Sequence, residues 1–336
     1  MNGYERTVRF VEGETTDRPP FMPLVIEWVS RQQGLDYRDF IYQPALRAKA
    51  YLEAADQFHL DCILPDADFY EQLEDFGAKP VWNGTGYHAD PIIQELEDIQ
   101  NLVLPKMEPG SRMGNRLEIL QQVAEKAKGK QYIFGICVGP FTEYTNARGI
   151  EDAFFDMADE EDAMMEGVKI FYENGLQFIE AQLEAGADGI QIVEPSCSLI
   201  RPDFYKEYLL PLHKAMVDRV QQHGGFARLH ICGDTHALMP YTLATGARIL
   251  DVDHAVQMEK AAALLKKGQV LCGNLDPSGE VLYGTPESFG PKVRKIVEKT
   301  GNRTILSGGC DIPPDTSPEN MLAFWAACEA LGGISF

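Results

Sequence analysis

The chain has 336 residues, 45% hydrophobic and 24% charged, with 51 acidic against 30 basic side chains and a net charge of −21. That balance excludes a nucleic-acid-binding surface and makes any polyanionic substrate depend on a local basic pocket. No apolar run reaches the roughly 18–20 residues of a membrane span, the N-terminus is charged throughout, and the cysteines are odd in number, so a soluble, cytoplasmic protein with no membrane association and no disulfide framework is expected. Taken in chain order, strand-like runs occur at 21–28 ("FMPLVIEW"), 61–69, 131–139, 188–195, 226–232, 247–255, 269–275 and 303–310. Each is nearly continuously apolar, as parallel strands buried on both faces are. Helical patterns lie between them at 44–58, 161–186, 203–225, 258–268, 286–301 and 317–332, with Ser317 placed as an N-cap and glycines at 186, 224, 268, 301 and 332 placed as C-caps. Eight alternations without a low-complexity linker predict one α/β domain over 1–336, a single (β/α)8 TIM barrel. Residues 1–19 form an N-terminal helical extension, and 70–130, which contain "NGTGYHADPI" and a helix at 115–129, form an insertion that can act as a lid.

Barrels of this kind gather their chemistry at the C-terminal ends of the strands. The last residues of the runs are Glu27, Asp66 or Asp68, Gly139, Glu194, His230 with Cys232, Asp253 with His254, Asn274 and Cys310. His230 and Cys232 stand two apart on a strand and so share one face. Cys310, at the end of the eighth run, faces the same mouth. Two thiolates and an imidazole are suited to a catalytic zinc with one open position. The plainer alternative is a core histidine beside two buried thiols. Cys62, Cys137, Cys272 and Cys328, in apolar surroundings, read as small buried hydrophobes. Trp28, Phe69, Tyr70, Phe141 and Tyr144 are candidates to line a slot for an aromatic ring, with core packing as the alternative.

"HICG" at 230–233 followed by "SGGCDIPPDTSPENM" at 307–321 resembles the uroporphyrinogen decarboxylase superfamily, and within it the zinc-dependent cobamide (corrinoid) methyltransferases. "YERTVRFVEGETTDRPP", "EAGADGIQIVEPSCSLIRPDFYKEYLLP" and "GNLDPSGEVLYGTPESF" extend the resemblance through most of the chain. The resemblance implies zinc on His230, Cys232 and Cys310, with Asp253 as an acidic fourth ligand, although His254 competes for that position. It also implies a corrinoid as methyl carrier. No D-x-H-x-x-G signature is present, so the cobalamin is expected on a partner corrinoid protein or free in solution. Glu27, Asp66 and Glu194 are the expected catalytic carboxylates, and Trp28, Tyr70, Tyr144 and Asn274 the expected substrate contacts. The favoured reaction is O-demethylation of a methoxylated aromatic. The alternatives are methyl transfer from a cobamide to a coenzyme M-type thiol, uroporphyrinogen decarboxylation, or a non-enzymatic zinc- or tetrapyrrole-binding protein. Decarboxylases grip an acidic tetrapyrrole with an arginine-rich motif, of which "LVIEWVSRQQGLDY" keeps only Arg31. Arg148 and Arg201 remain as anchors for a sulfonate. A homo-oligomer is compatible with the sequence.

Overall fold

A computed structural model describes residues 1–83 and 86–333, so Gly84 and Thr85 of "NGTGYHADPI" lie outside the described residues. Nine strands are present: β1 Cys62–Ile63, β2 Pro80–Asn83, β3 Gly86–Ala89, β4 Tyr132–Val138, β5 Gly189–Val193, β6 Phe226–Ile231, β7 Ile249–Val252, β8 Val270–Leu275 and β9 Thr304–Gly308, among the described residues. Seven of them form one parallel sheet in the order β1-β4-β5-β6-β7-β8-β9, and β2 and β3 form a separate antiparallel hairpin. Every residue of β4, β5, β6, β7 and β9 is buried. That is the cause of their unbroken apolar runs, since helices cover the outside and side chains fill the inside.

The expected strand at 21–28 is reduced to one bridge, Phe21 against Leu306 of β9. Pro20 and Pro23 flank that residue, and neither can donate to a ladder. The run is apolar because Met22, Leu24, Val25 and Ile26 are buried, not because they are paired. Closure is nevertheless complete. Met22 N donates to Leu306 O at 2.9 Å, Leu306 N to Pro20 O at 2.9 Å, and Asp61 N to Phe21 O at 3.0 Å, which joins β9 to β1 across this residue. The chain then leaves the sheet, and Glu27 opens a short helix, Glu27–Gln32.

The helices fall close to their expected places, at Pro44–Gln57, Glu161–Glu184, Leu210–Gln222, Met258–Leu264, Phe289–Lys299 and Pro318–Glu329. Ser317 caps the last of these, its Oγ accepting from Asn320 N at 3.1 Å. The pattern at 203–225 is broken by a wide turn at Tyr205–Leu209, just before Pro211, which has no N–H to return into the helix. The N-terminal extension carries the helix Gly3–Val11, and its Arg6 together with Arg18 grips Asp61 at 2.5 Å each. Within 70–130, the helix Arg112–Ala127 packs beside Pro44–Gln57 as an ordinary member of the outer ring. The β2–β3 hairpin is what comes to the mouth: the Trp82 ring lies 6.5 Å from Tyr37, and the Tyr87 ring 5.5 Å from Tyr70.

Candidate metal centre

Strand β6 alternates its side chains, so Arg228, His230 and, just past its end, Cys232 rise in one column. A buried arginine in a strand demands a counter-charge. Asp251 of β7 supplies it, accepting Arg228 Nε at 2.8 and 2.9 Å through its two oxygens. The β6–β7 register sets His230 opposite Asp251, and Asp251 Oδ2 lies 3.2 Å from His230 Nδ1. The carboxylate thereby keeps the proton on Nδ1 and presents Nε2 outward. His230 Nε2 is 2.9 Å from Cys232 Sγ, Cys232 Sγ is 3.5 Å from Cys310 Sγ, and Cys310 Sγ is 4.0 Å from His230 Nε2.

Cys310 follows β9 through Gly308 and Gly309. A Cβ on Gly309 would stand 2.4 Å from His254 N, so only glycine lets the loop after β7 pass this close to Cys310.

The trio shares its protons unevenly. The hydrogen bond from Cys232 pulls the Cys310 thiol down to about 4, against burial and with help from His230. The same bond pushes Cys232 far up. Burial opposes charge on His230, but its contacts with Asp251 and Cys310 outweigh that and raise it to about 9. A metal ion replaces such shared protons. The donor set fits zinc. One imidazole and two thiolates around a tetrahedral zinc require edges of about 3.5–3.8 Å, and two of the three observed edges straddle that range. The third, His230 to Cys232, must open by about 0.6 Å, a small side-chain adjustment.

The other predicted residues divide clearly. Among the described residues, Asp253 stands outside the set of donor atoms lying within 4.8 Å of one another. Its Oδ1 accepts from Ala255 N at 3.0 Å and pairs with His254 Nδ1 at 2.8 Å. Glu194 lies just past β5. It is wholly buried, accepting from Phe141 N, from Thr142 N and Oγ1, and pairing with His213 Nε2 at 2.8 Å. A second buried group of Glu194, Cys197 and His213 is therefore a hydrogen-bonded brace whose carboxylate is already committed. Asp66 is also wholly buried, held by Ala67 N and Arg116, and burial pushes it up to about 6.

Trp28 and Tyr144 are corrections to the expected substrate contacts. Both are fully buried, Trp28 donating to Thr316 O at 2.8 Å and Tyr144 to Asp156 at 2.7 Å, and Phe141 is core as well. Asn274 spends its amide on the carbonyls of Asp253 and Val256. Glu27, Asp68, Phe69 and Tyr70 do gather, together with Ile26, Tyr37, Ala67, Tyr87 and Asp311, around a cavity of about 220 Å³ whose wall reaches Asp311, the residue after Cys310. Sequence reasoning passed over Asp251. The signal was Arg228, a charge inside an apolar strand, two positions before His230. Cys62, Cys137, Cys272 and Cys328 are buried, and burial raises the thiol of each, as their apolar surroundings implied.

A closed parallel sheet carrying a His-Cys-Cys set at its C-terminal mouth defines a class: a TIM-barrel-like enzyme scaffold with a thiolate-rich, metal-competent centre. The family description "Uroporphyrinogen decarboxylase (URO-D)" matches residues 2–331, and the chain belongs to that family. Its relatives include the methylcobamide:CoM methyltransferase MtbA of Methanosarcina mazei, 29% identical over 68% of this chain and 67% of that protein. They also include the uroporphyrinogen decarboxylase of Chlorobium limicola, 27% identical over 88% of this chain and 90% of the other. Among solved structures, a methyltransferase from Methanosarcina mazei superposes with a TM-score of 0.89 at 20% identity, covering 98% of this chain and 99% of the other, which establishes the shared fold. A B12-independent methionine synthase from Shewanella sp. W3-18-1 has a TM-score of 0.64 at 15% identity, covering 94% and 97%. No helix of the described residues is long and apolar enough to cross a membrane.

Proposed function

We propose that this chain is a zinc-dependent, corrinoid-dependent methyltransferase that passes a methyl group from a cobamide to a small thiol. The observation that carries this reading is the trio of His230 Nε2, Cys232 Sγ and Cys310 Sγ, converging at the mouth with a carboxylate behind the imidazole. The MtbA relatives support the thiol as acceptor, which was the alternative at the level of sequence. The aromatic-ether reading loses ground because three of the five rings that suggested it, Trp28, Phe141 and Tyr144, are core.

Zinc held by His230, Cys232 and Cys310 would supply the Lewis acidity that keeps a substrate thiol in its nucleophilic form at neutral pH. The chain's own residues do the rest. Asp251 fixes the His230 ring, Arg228 fixes Asp251, and the two cysteines place negative charge at the ligand set. Ile26 N holds the Asp311 carboxylate at 3.0 Å, which orients the wall of the neighbouring cavity. The corrinoid is presented at the open top of the barrel, on a partner protein or from solution. Seven free cysteines among the described residues suit a reducing, cytoplasmic setting. Decarboxylation of a tetrapyrrole is disfavoured because carboxylates, with no lysine or arginine, line the cavity that reaches Asp311.

The test is metal content together with methyl transfer from methylcobalamin to small thiols, for the parent protein and Cys310→Ala. About one zinc per chain and thiol-dependent demethylation of the cobalamin are expected, with both lost in the variant. Protein that retains no zinc after reconstitution yet decarboxylates uroporphyrinogen would overturn the reading.

A further inference from the structure

The cavity that reaches Asp311 has a chemical character of its own. Its polar wall consists of Glu27, Asp68, Asp311 and the tyrosines Tyr37, Tyr70 and Tyr87, without a lysine or arginine. An anionic head group needs donors, and most of the donors here are already spent. The Tyr37 hydroxyl donates to Ala67 O, the Tyr87 hydroxyl to Glu74, and the backbone N–H groups of Ile26 and Tyr70 to Asp311 and Asp68. Tyr37 and Tyr87 therefore offer ring surface to an occupant rather than O–H groups, and the Tyr70 hydroxyl is the phenol donor left to it among the described residues.

The carboxylates differ in how far they are compensated. Asp68 pairs with Arg112, which stands behind the wall with its side chain 5% exposed. Among the described residues, Glu27 has no ion-pair or hydrogen-bonding partner for its carboxylate, and Arg31, one turn further on, pairs with Asp315 at 3.1 Å. Glu27 also lines an adjoining vestibule of about 430 Å³ with Tyr37, Trp82, Asp36, Arg31 and Arg38, of which Arg31 is held by Asp315 and Arg38 lies over the Trp82 ring at 4.7 Å. A free carboxylate among several aromatic rings is a setting that attracts a cation and repels a sulfonate.

We infer that the small thiol taken by this site carries an ammonium group, held by Glu27 and the rings of Tyr37, Tyr70 and Tyr87, and is not an anionic thiol of the sulfonate kind. This rests on the methyl-transfer reading above and specifies its acceptor. In the reaction the thiol sulfur forms a bond to the methyl carbon, the cobalt–carbon bond breaks with its electron pair left on cobalt, and the thiol proton passes to solvent. The ammonium group takes no part beyond binding.

Three thiols that share a two-carbon spacer separate the possibilities: 2-aminoethanethiol, 2-mercaptoethanol and 2-mercaptoethanesulfonate. Methyl transfer from methylcobalamin is followed for each with zinc-loaded protein, and binding of each is measured in parallel by calorimetry. The expected result is a kcat/KM for the ammonium thiol about tenfold or more above that for the sulfonate. That ratio should shrink several-fold in Glu27→Gln and reverse in Glu27→Lys, which also cancels differences in intrinsic thiol acidity. A sulfonate that equals or exceeds the ammonium thiol, a ratio unmoved by either variant, or no binding of any of the three overturns the inference. Glu27-dependent, tighter binding of the ammonium thiol without transfer to any thiol removes the methyl-transfer reading and leaves the ligand assignment standing.

Discussion

At the scale of single residues, the centre is a column in which each member answers for the one above it. Arg228 holds Asp251, Asp251 holds His230, and His230 faces the two thiols. Asp251→Asn keeps the shape but removes the charge. Zinc affinity, measured by chelator competition, should fall about 10- to 100-fold, the usual cost of losing a carboxylate behind a ligating histidine. The same variant strands the Arg228 guanidinium, whose side chain is 2% exposed, so stability should fall by about 3–5 kcal/mol in urea unfolding. A variant that keeps its zinc affinity would show that His230 needs no such support. The trio itself was legible because two-residue strand spacing and chemical softness are written in the sequence. Asp251 is not legible in the same way, because it sits inside an apolar strand, one pleat below the strand end where such chemistry is expected. Trp28 and Tyr144 were misplaced for another reason: an aromatic residue in an apolar run announces burial, but not which way its ring turns.

The junction between β4, β5 and the helix Pro140–Arg148 shows the same logic at the scale of elements. Glu194, just past β5, accepts from the first N–H groups of that helix, where a negative charge also meets the helix dipole. Gly139 makes room for it, since a Cβ there would lie 2.2 Å from the Glu194 carboxylate. Glu194 is thus a clamp between elements. Glu194→Ala leaves buried donors without acceptors and should cost about 2–4 kcal/mol of stability, with metal content unchanged once the protein is folded. A fully stable Glu194→Ala that loses only turnover would return this residue to the reacting groups. Elements are legible where apolar runs are unbroken and glycines end the helices, as Gly224 does at φ 80° after Leu210–Gln222. They are not legible where proline intervenes. Pro23 turned an expected strand into buried irregular chain, and Pro211 turned part of a helix into a wide turn.

For the molecule as a whole, Asp61 is the clasp of the barrel. It receives Arg6, Arg18 and the N–H of Phe21 at 2.7 Å, joining the N-terminal helix, the single bridging residue and the start of β1. Asp61→Ala would leave Arg6 and Arg18 only their more exposed partners Asp17 and Glu329, and we expect a loss of about 3 kcal/mol, read as a lowered urea midpoint. A midpoint unchanged within error would mean that the Leu306 hydrogen bonds close the ring alone. The barrel class was readable from eight alternations, but the weight carried by Asp61 was not, because ion pairs between distant segments leave no periodic trace. The seam at Phe21 also sets how this protein fails. A closed sheet has no free edge, whereas a barrel opened at one residue presents β1 and β9 as two unpaired parallel edges. Those edges are templates for pairing with other chains, so heat-induced aggregation is expected to start from the parted clasp, while the outer helices are still in place.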